Sequence, residues 1–371
     1  MIRPRIKRTT ERLEAPNGDL YLMRPSATAD IQIEQPDVEG LRLLAALDGE
    51  RTREELETEF GEEEVGDLLA QLEELGVVED AADEDLIADE VIARFDRQLR
   101  YFSDISSGGP TPSQSQGSLE SARIAVLGVG GLGGWSALSL SCCGIGEMLL
   151  VDFDRVELTN LNRQVLYGED DIGRNKAEAA AERLRSFNSR MRLEVLPKRL
   201  ESQAEIAATI EGYDLVIDAI DWPTHDVERW VNSACFKVGV PYIAMSHFPP
   251  VARVGPLYVP GVTGCFACQE ISYRRAYPLF DVAMEQRRAK SSPGATLGPA
   301  CALIGGQAAL DIMHYLTGLA TPSTLGVGHN YDLRTMSIER EEVVPEPECP
   351  VCSHLQSKRD NGTQRTARRP S

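Results

Sequence analysis

The sequence has 371 residues, of which 42% are hydrophobic and 26% charged, a composition typical of a soluble globular protein with one large domain or two smaller ones. Its formal net charge of −20 excludes nucleic acid as the main partner, because binding to phosphates needs a basic face. No apolar run approaches the roughly 20 residues of a membrane helix, and no apolar segment of a secretory signal follows the basic N-terminus, so we expect a cytoplasmic protein without a membrane partner.

Composition divides the chain into three parts. Residues 1–90 predict a small domain, and residues 93–353 predict a large α/β unit. Residues 354–371 are polar and have no apolar period, which predicts a disordered tail. Within the large unit, the Gly-, Pro- and Ser-rich stretch 106–118 predicts a flexible loop.

The small domain begins with two short alternating segments, DLYLMRP and ADIQIEQP, which predict strands. The next segment, VEGLRLLAALDGE, has leucines at helical spacing and predicts a helix. Thr52 and Glu55 have the spacing of a capping box, so a second helix should begin there. The segment VGDLLAQLEELG predicts a third helix, and residues 77–78 predict a last short strand. This order of elements is typical of a winged-helix fold.

Winged-helix domains commonly bind DNA, but the charge of this one argues against that function. No Lys or Arg occurs between Arg53 and Arg94, and the third helix is rich in Glu and Asp. Phosphates would repel such a helix.

The strings LLAALDGERTREELETEFG and VGDLLAQLEELGVVED resemble the PqqD-like recognition domains of pathways that modify ribosomally made peptides. The resemblance implies that the small domain binds a leader peptide, which adds a strand to the edge of its sheet. A role in dimerisation or packing alone is the alternative, because a fold does not fix a function.

A glycine-rich turn follows the first predicted strand of the large unit, in RIAVLGVGGLGG. Gly128, Gly130, Gly131 and Gly133 fit the dinucleotide fingerprint, in which backbone N–H groups and a helix N-terminus approach phosphates. About nineteen residues later, Asp152 ends the next predicted strand, where an acid takes a ribose hydroxyl. Taken alone, this loop fits an NAD(P)-dependent dehydrogenase equally well.

The residues that follow favour a triphosphate over a nicotinamide. The string ELTNLNRQ contains Asn160, Arg163 and Gln164, and the string GRNK ends on Lys176. A nicotinamide site does not need an Arg and a Lys in one cleft. Transfer at phosphorus does need them, because it concentrates negative charge that cations must balance.

Five motifs in this order resemble the MoeB/ThiF family of adenylating enzymes, which are relatives of ubiquitin-activating enzymes. They are the GxGGLG loop, the DxD of Asp152 and Asp154, the NLxRQ string, the GxxK string, and a late DxxD that ends on Asp221. The resemblance covers about residues 93–345. It implies a Rossmann-like α/β core with a mostly parallel sheet.

The resemblance also implies a role for each motif. Asp152 would hold the ribose of ATP, Lys176 would neutralise the β- and γ-phosphates, and Asp221 would bind Mg²⁺. The polar residues of the NLxRQ string would surround the triphosphate. Upstream, the string Asp96-Arg97-Gln98 resembles a family segment whose Arg reaches the ATP site of the partner subunit. Arg97 would then act in trans, and the enzyme would be a homodimer.

Two C-x-x-C pairs are separated by 80 residues of sequence. They are Cys265 with Cys268, and Cys349 with Cys352. Four thiolates in two such pairs match a tetrahedral structural zinc site without an open coordination position.

The leading hypothesis is ATP-dependent adenylation of the C-terminal carboxylate of a precursor peptide, with release of pyrophosphate, as in microcin-type peptide adenylyltransferases. The carboxylate is already ionised at pH 7, so the attack on the α-phosphate needs no general base. One alternative is activation of a ubiquitin-like sulfur-carrier protein. The others are a non-catalytic ATP-binding scaffold and a nicotinamide oxidoreductase, for which the NLNRQ string would be incidental.

Overall fold

The computed structural model describes residues 2–24, 30–106, 108–223, 226–289 and 295–355. The chain divides into two compact units. The N-terminal unit comprises Met1–Gly117 with Thr317–Ala320, and the core unit comprises Ser118–Leu316 with Thr321–Ser371. Residues 356–371, most of the predicted disordered tail, lie outside the described residues. No helix within the described ranges is long and apolar enough to cross a membrane.

The N-terminal unit contains two small antiparallel sheets, which pair β1 with β5 and order three other strands as β2-β3-β4. These strands are β1 (Pro4–Ile6), β2 (Glu11–Glu14), β3 (Leu20–Met23), β4 (Ile31–Ile33) and β5 (Val78–Asp80). The helices that begin in this unit are α1 (Val38–Ala46), α2 (Arg53–Phe60), α3 (Glu62–Glu74), α4 (Asp89–Ile105) and α5 (Pro112–Ser121).

Local sequence signals explain the helices of the N-terminal unit. The predicted capping box is present: the Thr52 hydroxyl accepts from the Glu55 N–H at 3.2 Å, and the Glu55 carboxylate accepts from the Thr52 N–H at 2.8 Å. The apolar faces of α1, α2 and α3 bury a common core, which includes Leu44, Leu56 and Leu69. This unit therefore has a hydrophobic core of its own.

The predicted flexible loop at 106–118 is wrong for its second half, which is helical in α5. Gly, Pro and Ser content suggested a loop, but Pro112 stands at the start of the helix, where its missing N–H has no cost. Thr111 and Gln114 exchange hydrogen bonds of 3.1 and 3.2 Å between side chain and backbone. Ser115 and Gln116 are fully buried, so tertiary packing fixes the helix.

Eight described strands of the core unit form one sheet in the order β13-β12-β11-β10-β9-β6-β7-β8. Their bounds are β6 (Arg123–Leu127), β7 (Glu147–Val151), β8 (Arg192–Leu196), β9 (Leu215–Asp218), β10 (Tyr242–Phe248), β11 (Val251–Tyr258), β12 (Val327–Asp332) and β13 (Ser337–Glu342). The further helices are α6 (Gly131–Cys143), α7 (Lys176–Phe187), α8 (Gln203–Ile210), α9 (Val227–Val238), α10 (Phe266–Ala276), α11 (Phe280–Ala289) and α12 (Gly298–Thr317).

The five strands β10-β9-β6-β7-β8 pair in parallel, and the remaining strands extend the sheet in antiparallel fashion. The α/β class with a mostly parallel sheet is thus confirmed. The strand order reverses at β6, because β7 and β8 lie on one side of it and β9 on the other. A crevice for ligands forms at such a switch point, at the carboxyl ends of the strands.

Candidate functional site

The glycine loop after β6 is closed so tightly that side chains would not fit. Gly128 has a φ of +86°, and a Cβ there would lie 2.5 Å from the carbonyl oxygen of Ala219, which follows β9. A Cβ at Gly133 would lie 1.9 Å from the carbonyl oxygen of Gly128. The loop leads directly into α6, whose first N–H groups are available to an anion.

Asp152 follows β7 and is fixed against the glycine loop. One carboxylate oxygen accepts from the Val129 N–H at 3.0 Å, and the other accepts from the Asp154 N–H at 2.9 Å. Burial raises the pKa of Asp152, while the charge of Lys176 acts in the opposite direction. The structure therefore brings the predicted acid to the loop on the side of β7.

Lys176 is the first residue of α7 and is only 6% exposed. Its ammonium group contacts the half-exposed carboxylate of Asp154 at 2.9 Å. The side chain of Asn175 caps the helix by accepting from the Glu178 N–H. A buried ammonium group needs a compensating charge, and Asp154 supplies it.

The NLNRQ segment packs against the glycine loop. A Cβ at Gly131 would lie 3.5 Å from Cγ of Arg163, and a Cβ at Gly130 would lie 3.5 Å from Nε2 of Gln164. Oε1 of Gln164 is buried and has no hydrogen-bond partner among the described residues. Buried Asn160 orients the turn by accepting from the N–H of Glu157 at 3.0 Å. These predicted residues are brought together around the loop.

Two other predicted residues are placed differently. Asp221 is exposed in the loop after β9, three residues beyond buried Asp218. Arg97 belongs to the N-terminal unit, where its side chain on α4 is 90% exposed. The role of Arg97 at a partner's ATP site therefore stays a prediction.

Some residues that pack near the glycine loop do not belong to any of the five sequence motifs. The thiol of Cys301 would lie 2.8 Å from a Cβ at Gly131, and a Cβ at Gly298 would lie 2.9 Å from the carbonyl oxygen of Asn162. The start of α12 thus packs on the glycine loop and the NLNRQ segment. Sequence reasoning missed these contacts, because they join segments more than 130 residues apart.

Three further side chains stack at the carboxyl ends of β7, β8 and β9. The guanidinium carbon of Arg199 lies 3.9 Å from the ring centre of Phe153 and 4.0 Å from that of Trp222. In the sequence, Phe153 and Trp222 each directly follow a predicted site acid, Asp152 and Asp221, which could have drawn attention to them. Nothing in the sequence indicated that Arg199 would contact them.

The four predicted cysteine ligands converge in the core unit. The sulfurs of Cys265, Cys268, Cys349 and Cys352 all lie within 4.8 Å of one another, and all four residues are buried. This cluster can hold a metal ion. It joins the start of α10 to the segment that follows β13.

The ThiF family model matches residues 95–351, and the chain belongs to this family. It is an adenylyltransferase of the MoeB/ThiF type, so the predicted resemblance and enzyme class are confirmed. The sulfur carrier protein ThiS adenylyltransferase of Escherichia coli is 29% identical over 262 residues, which cover 70% of this chain and 94% of the relative. The sulfur carrier protein adenylyltransferase of Thermus thermophilus is 31% identical over 255 residues, with 67% and 88% covered.

Solved structures show the same fold over more of the chain. Escherichia coli MccB, determined with ATP, superposes with a TM-score of 0.74 at 23% identity and covers 94% of this chain and 99% of its own. The protein PaaA superposes with a TM-score of 0.71 at 25% identity, with 91% and 99% covered.

The buried carboxyl group of Asp218 predicts how the stability of the protein depends on pH. Burial raises its pKa well above the usual range, the nearby Glu228 charge adds to this, and its Oδ1 has no described partner. Because the folded pKa is raised, the unfolded chain loses its proton first as pH rises above about 4. The free energy of unfolding should then fall by up to about 1.4 kcal/mol per pH unit, until the folded pKa is passed.

Urea denaturation between pH 4 and pH 8 measures this slope. Asp218→Asn should flatten it and raise stability at neutral pH, whereas Glu211→Gln, which changes an exposed acid of the same unit, should leave it unchanged. Equal slopes in wild type and Asp218→Asn would contradict the prediction.

Proposed function

We propose that this protein adenylates the C-terminal carboxylate of a ribosomally made precursor peptide. The observation that carries the proposal is the presence, in one chain, of a ThiF-family core and a separate N-terminal unit with its own small sheet. The family match begins at residue 95, so residues 1–94 lie outside it. A segment outside the conserved chemistry is well suited to choosing the substrate.

The nucleotide would lie at the crevice between β6 and β9. The glycine loop and the start of α6 would hold the phosphates, and Asp152, beside the N–H of Val129, would take the ribose hydroxyls. Lys176 is buried next to this position and would neutralise the β- and γ-phosphates, with Arg163 and Gln164 along the other side of the loop. A triphosphate would then replace Asp154 as the partner of the Lys176 ammonium group.

Asp221 fits a magnesium ligand, because it is an exposed carboxylate at the carboxyl edge of the sheet. Mg²⁺ bound there supplies charge neutralisation for the phosphates. The peptide carboxylate attacks the α-phosphate in line, the acyl–adenylate bond forms, and the bond to pyrophosphate breaks. Arg97 from a second copy would add another positive charge if the enzyme is a homodimer.

The N-terminal unit would bind the leader part of the peptide. Strands β2 and β4 are the edges of its three-stranded sheet, so either edge offers backbone groups to an added strand. Exposed Glu62, Glu63 and Glu64 open α3 and favour a leader with basic residues. The microcin C7 biosynthetic enzyme MccB, which has a similar fold, has been solved in complex with N-formylated MccA.

Activation of a sulfur-carrier protein is the second candidate. It is favoured by the relatives with 29% and 31% identity, both named as adenylyltransferases of sulfur-carrier proteins. The segment AMSHFPPVARVGPLYVPG stands where such activators usually have small residues that accept a Gly-Gly tail. Its bulky His247 and Phe248 favour the peptide instead.

The metal in the cysteine cluster would be zinc with a structural role. Four sulfurs about 2.3 Å from a tetrahedral zinc are about 3.8 Å apart. Here the Sγ atoms of Cys265 and Cys349 are 3.5 Å apart, and those of Cys265 and Cys268 are 3.9 Å apart. The N–H of Glu346 also donates to the sulfur of Cys268 at 3.3 Å, as it would to a thiolate ligand.

The nucleotide assignment predicts the effect of two substitutions. Lys176→Ala and Asp221→Ala should each lower peptide-dependent exchange of pyrophosphate into ATP by about 100-fold to 1,000-fold, because each removes a group that balances charge in the transition state. Lys237→Ala, which changes an exposed lysine of α9, is the matched control and should retain exchange. Full activity of the first two variants would overturn the assignment.

The zinc assignment predicts a stability effect. About one zinc per chain should co-purify, and Cys268→Ser should lose it and lower the melting temperature, because structural zinc contributes to folding. Cys142→Ser, which changes an exposed cysteine, should keep the metal. Elemental analysis and thermal unfolding measure both effects, and reduced wild-type protein free of zinc would refute the assignment.

The leader assignment distinguishes the two candidate substrates. Removal of residues 1–90 should raise KM strongly for a full-length precursor peptide, because a bound leader holds its own tail near the site at about millimolar effective concentration. Exchange with a high concentration of the C-terminal fragment alone should change much less. If the shortened enzyme treats both peptides alike and instead activates a carrier ending in Gly-Gly, the second candidate is correct.

A further inference from the structure

The stack of Phe153, Arg199 and Trp222 is the feature that the adenylation chemistry described above does not use. The three side chains come from the loops after β7, β8 and β9, at the carboxyl edge where the nucleotide crevice opens. Phe153 and Trp222 are 37% and 43% exposed, so a ligand in solution can reach both residues. The guanidinium carbon of Arg199 lies over both rings, 3.9 Å from the centre of one and 4.0 Å from the centre of the other.

The position of the stack relates it to the base of the nucleotide. Phe153 directly follows Asp152, whose carboxylate is fixed to the glycine loop by the Val129 N–H. With the phosphates at the loop and the ribose at Asp152, the base would lie beyond Asp152, in the crevice at the carboxyl ends of the strands. Phe153 and Trp222 stand at that place and present aromatic faces.

The geometry of the stack has the form of a base-binding slot. Nucleobases stack between aromatic rings, and a guanidinium group is planar and occupies the same kind of space. Within the described ranges, no hydrogen bond or ion pair of the Arg199 side chain competes with its contacts to the two rings. A guanidinium group that stacks in this way can be displaced by a larger planar group that stacks better.

We propose that Phe153 and Trp222 form the slot for the nucleobase of ATP and that Arg199 occupies this slot until the nucleotide displaces it. The Arg199 guanidinium group therefore competes with the nucleobase of ATP for the same slot. The conformation that binds ATP is the one in which this group has moved away from the two rings. The apparent dissociation constant for ATP is then larger than that of the open slot, by the inverse of the open fraction. The inference depends on the nucleotide position proposed above and is independent of the acyl substrate.

The direction in which Arg199→Ala changes the affinity for ATP distinguishes this arrangement from a simple electrostatic attraction between Arg199 and the phosphates. If Arg199 only attracted the polyphosphate, Arg199→Ala would weaken ATP binding. If it occupies the slot, the same change tightens ATP binding, by about threefold to tenfold for a slot that is mostly filled. Lys198→Ala is the matched control, because it removes the neighbouring positive charge, whose ion-pair partner is Glu205.

The experiment is calorimetric titration of the full-length protein with ATP and Mg²⁺, without peptide. Trp222→Ala should weaken binding about tenfold through lost stacking, and Trp222→Phe should restore most of it. Arg199→Ala should tighten binding in the wild-type background and have no such effect in the Trp222→Ala background. Circular dichroism of each variant verifies the fold.

Two results would overturn the inference while leaving the enzyme class intact. They are weaker or unchanged ATP binding in Arg199→Ala, and unchanged binding in Trp222→Ala. If the wild-type protein does not bind ATP at all, the proposed nucleotide position is wrong, and the proposed role of the slot is wrong as well. Tight ATP binding without any peptide-dependent exchange would instead contradict the proposed peptide substrate and leave the slot unaffected.

Discussion

The contact between the glycine loop after β6 and the backbone after β9 is the constraint on which the rest of the core depends. Gly128 touches the carbonyl group of Ala219, and Gly133 touches the carbonyl group of Gly128, with no space for a Cβ at either position. This close approach brings the start of α6 to the point where the strand order reverses. Every other group of the candidate site is placed relative to that turn, through Asp152 on one side and the NLNRQ segment on the other.

Electrostatics around the loop differ between the two strands that flank β6. After β7, buried Lys176 and half-exposed Asp154 neutralise each other, so a cation is held in place before any ligand arrives. Such preorganisation lowers the cost of assembling charge around a triphosphate. After β9, burial raises the pKa of Asp218, and the nearby charge of Glu228 adds to this effect. A buried carboxylate, Asp218, and an exposed one, Asp221, thus stand three residues apart at the end of β9.

The two compact units contain different features of the chain. The core unit contains most of the family match of residues 95–351, together with the glycine loop and the cysteine cluster, which ties the segment after β13 to the start of α10. The N-terminal unit has its own core and an acidic helix α3. Residues 1–94 of this unit lie outside the family match.

The sequence by itself determined the features that depend on local pattern. The capping box at Thr52, the helical stripes of the N-terminal unit and the strand–glycine–helix turn follow from residue spacing, because hydrogen bonds and backbone conformation act over a few residues. The five motifs in their order determined the family, because each is a short string of neighbouring residues that can be recognised without the fold. The two C-x-x-C pairs indicated one metal-binding cluster. Only the tertiary structure decided that α5 is a helix, since the burial of Ser115 and Gln116 overrides their composition. It alone also placed Cys301 against Gly131 and Arg199 over two aromatic rings, because contacts between distant segments leave no periodic trace in the sequence.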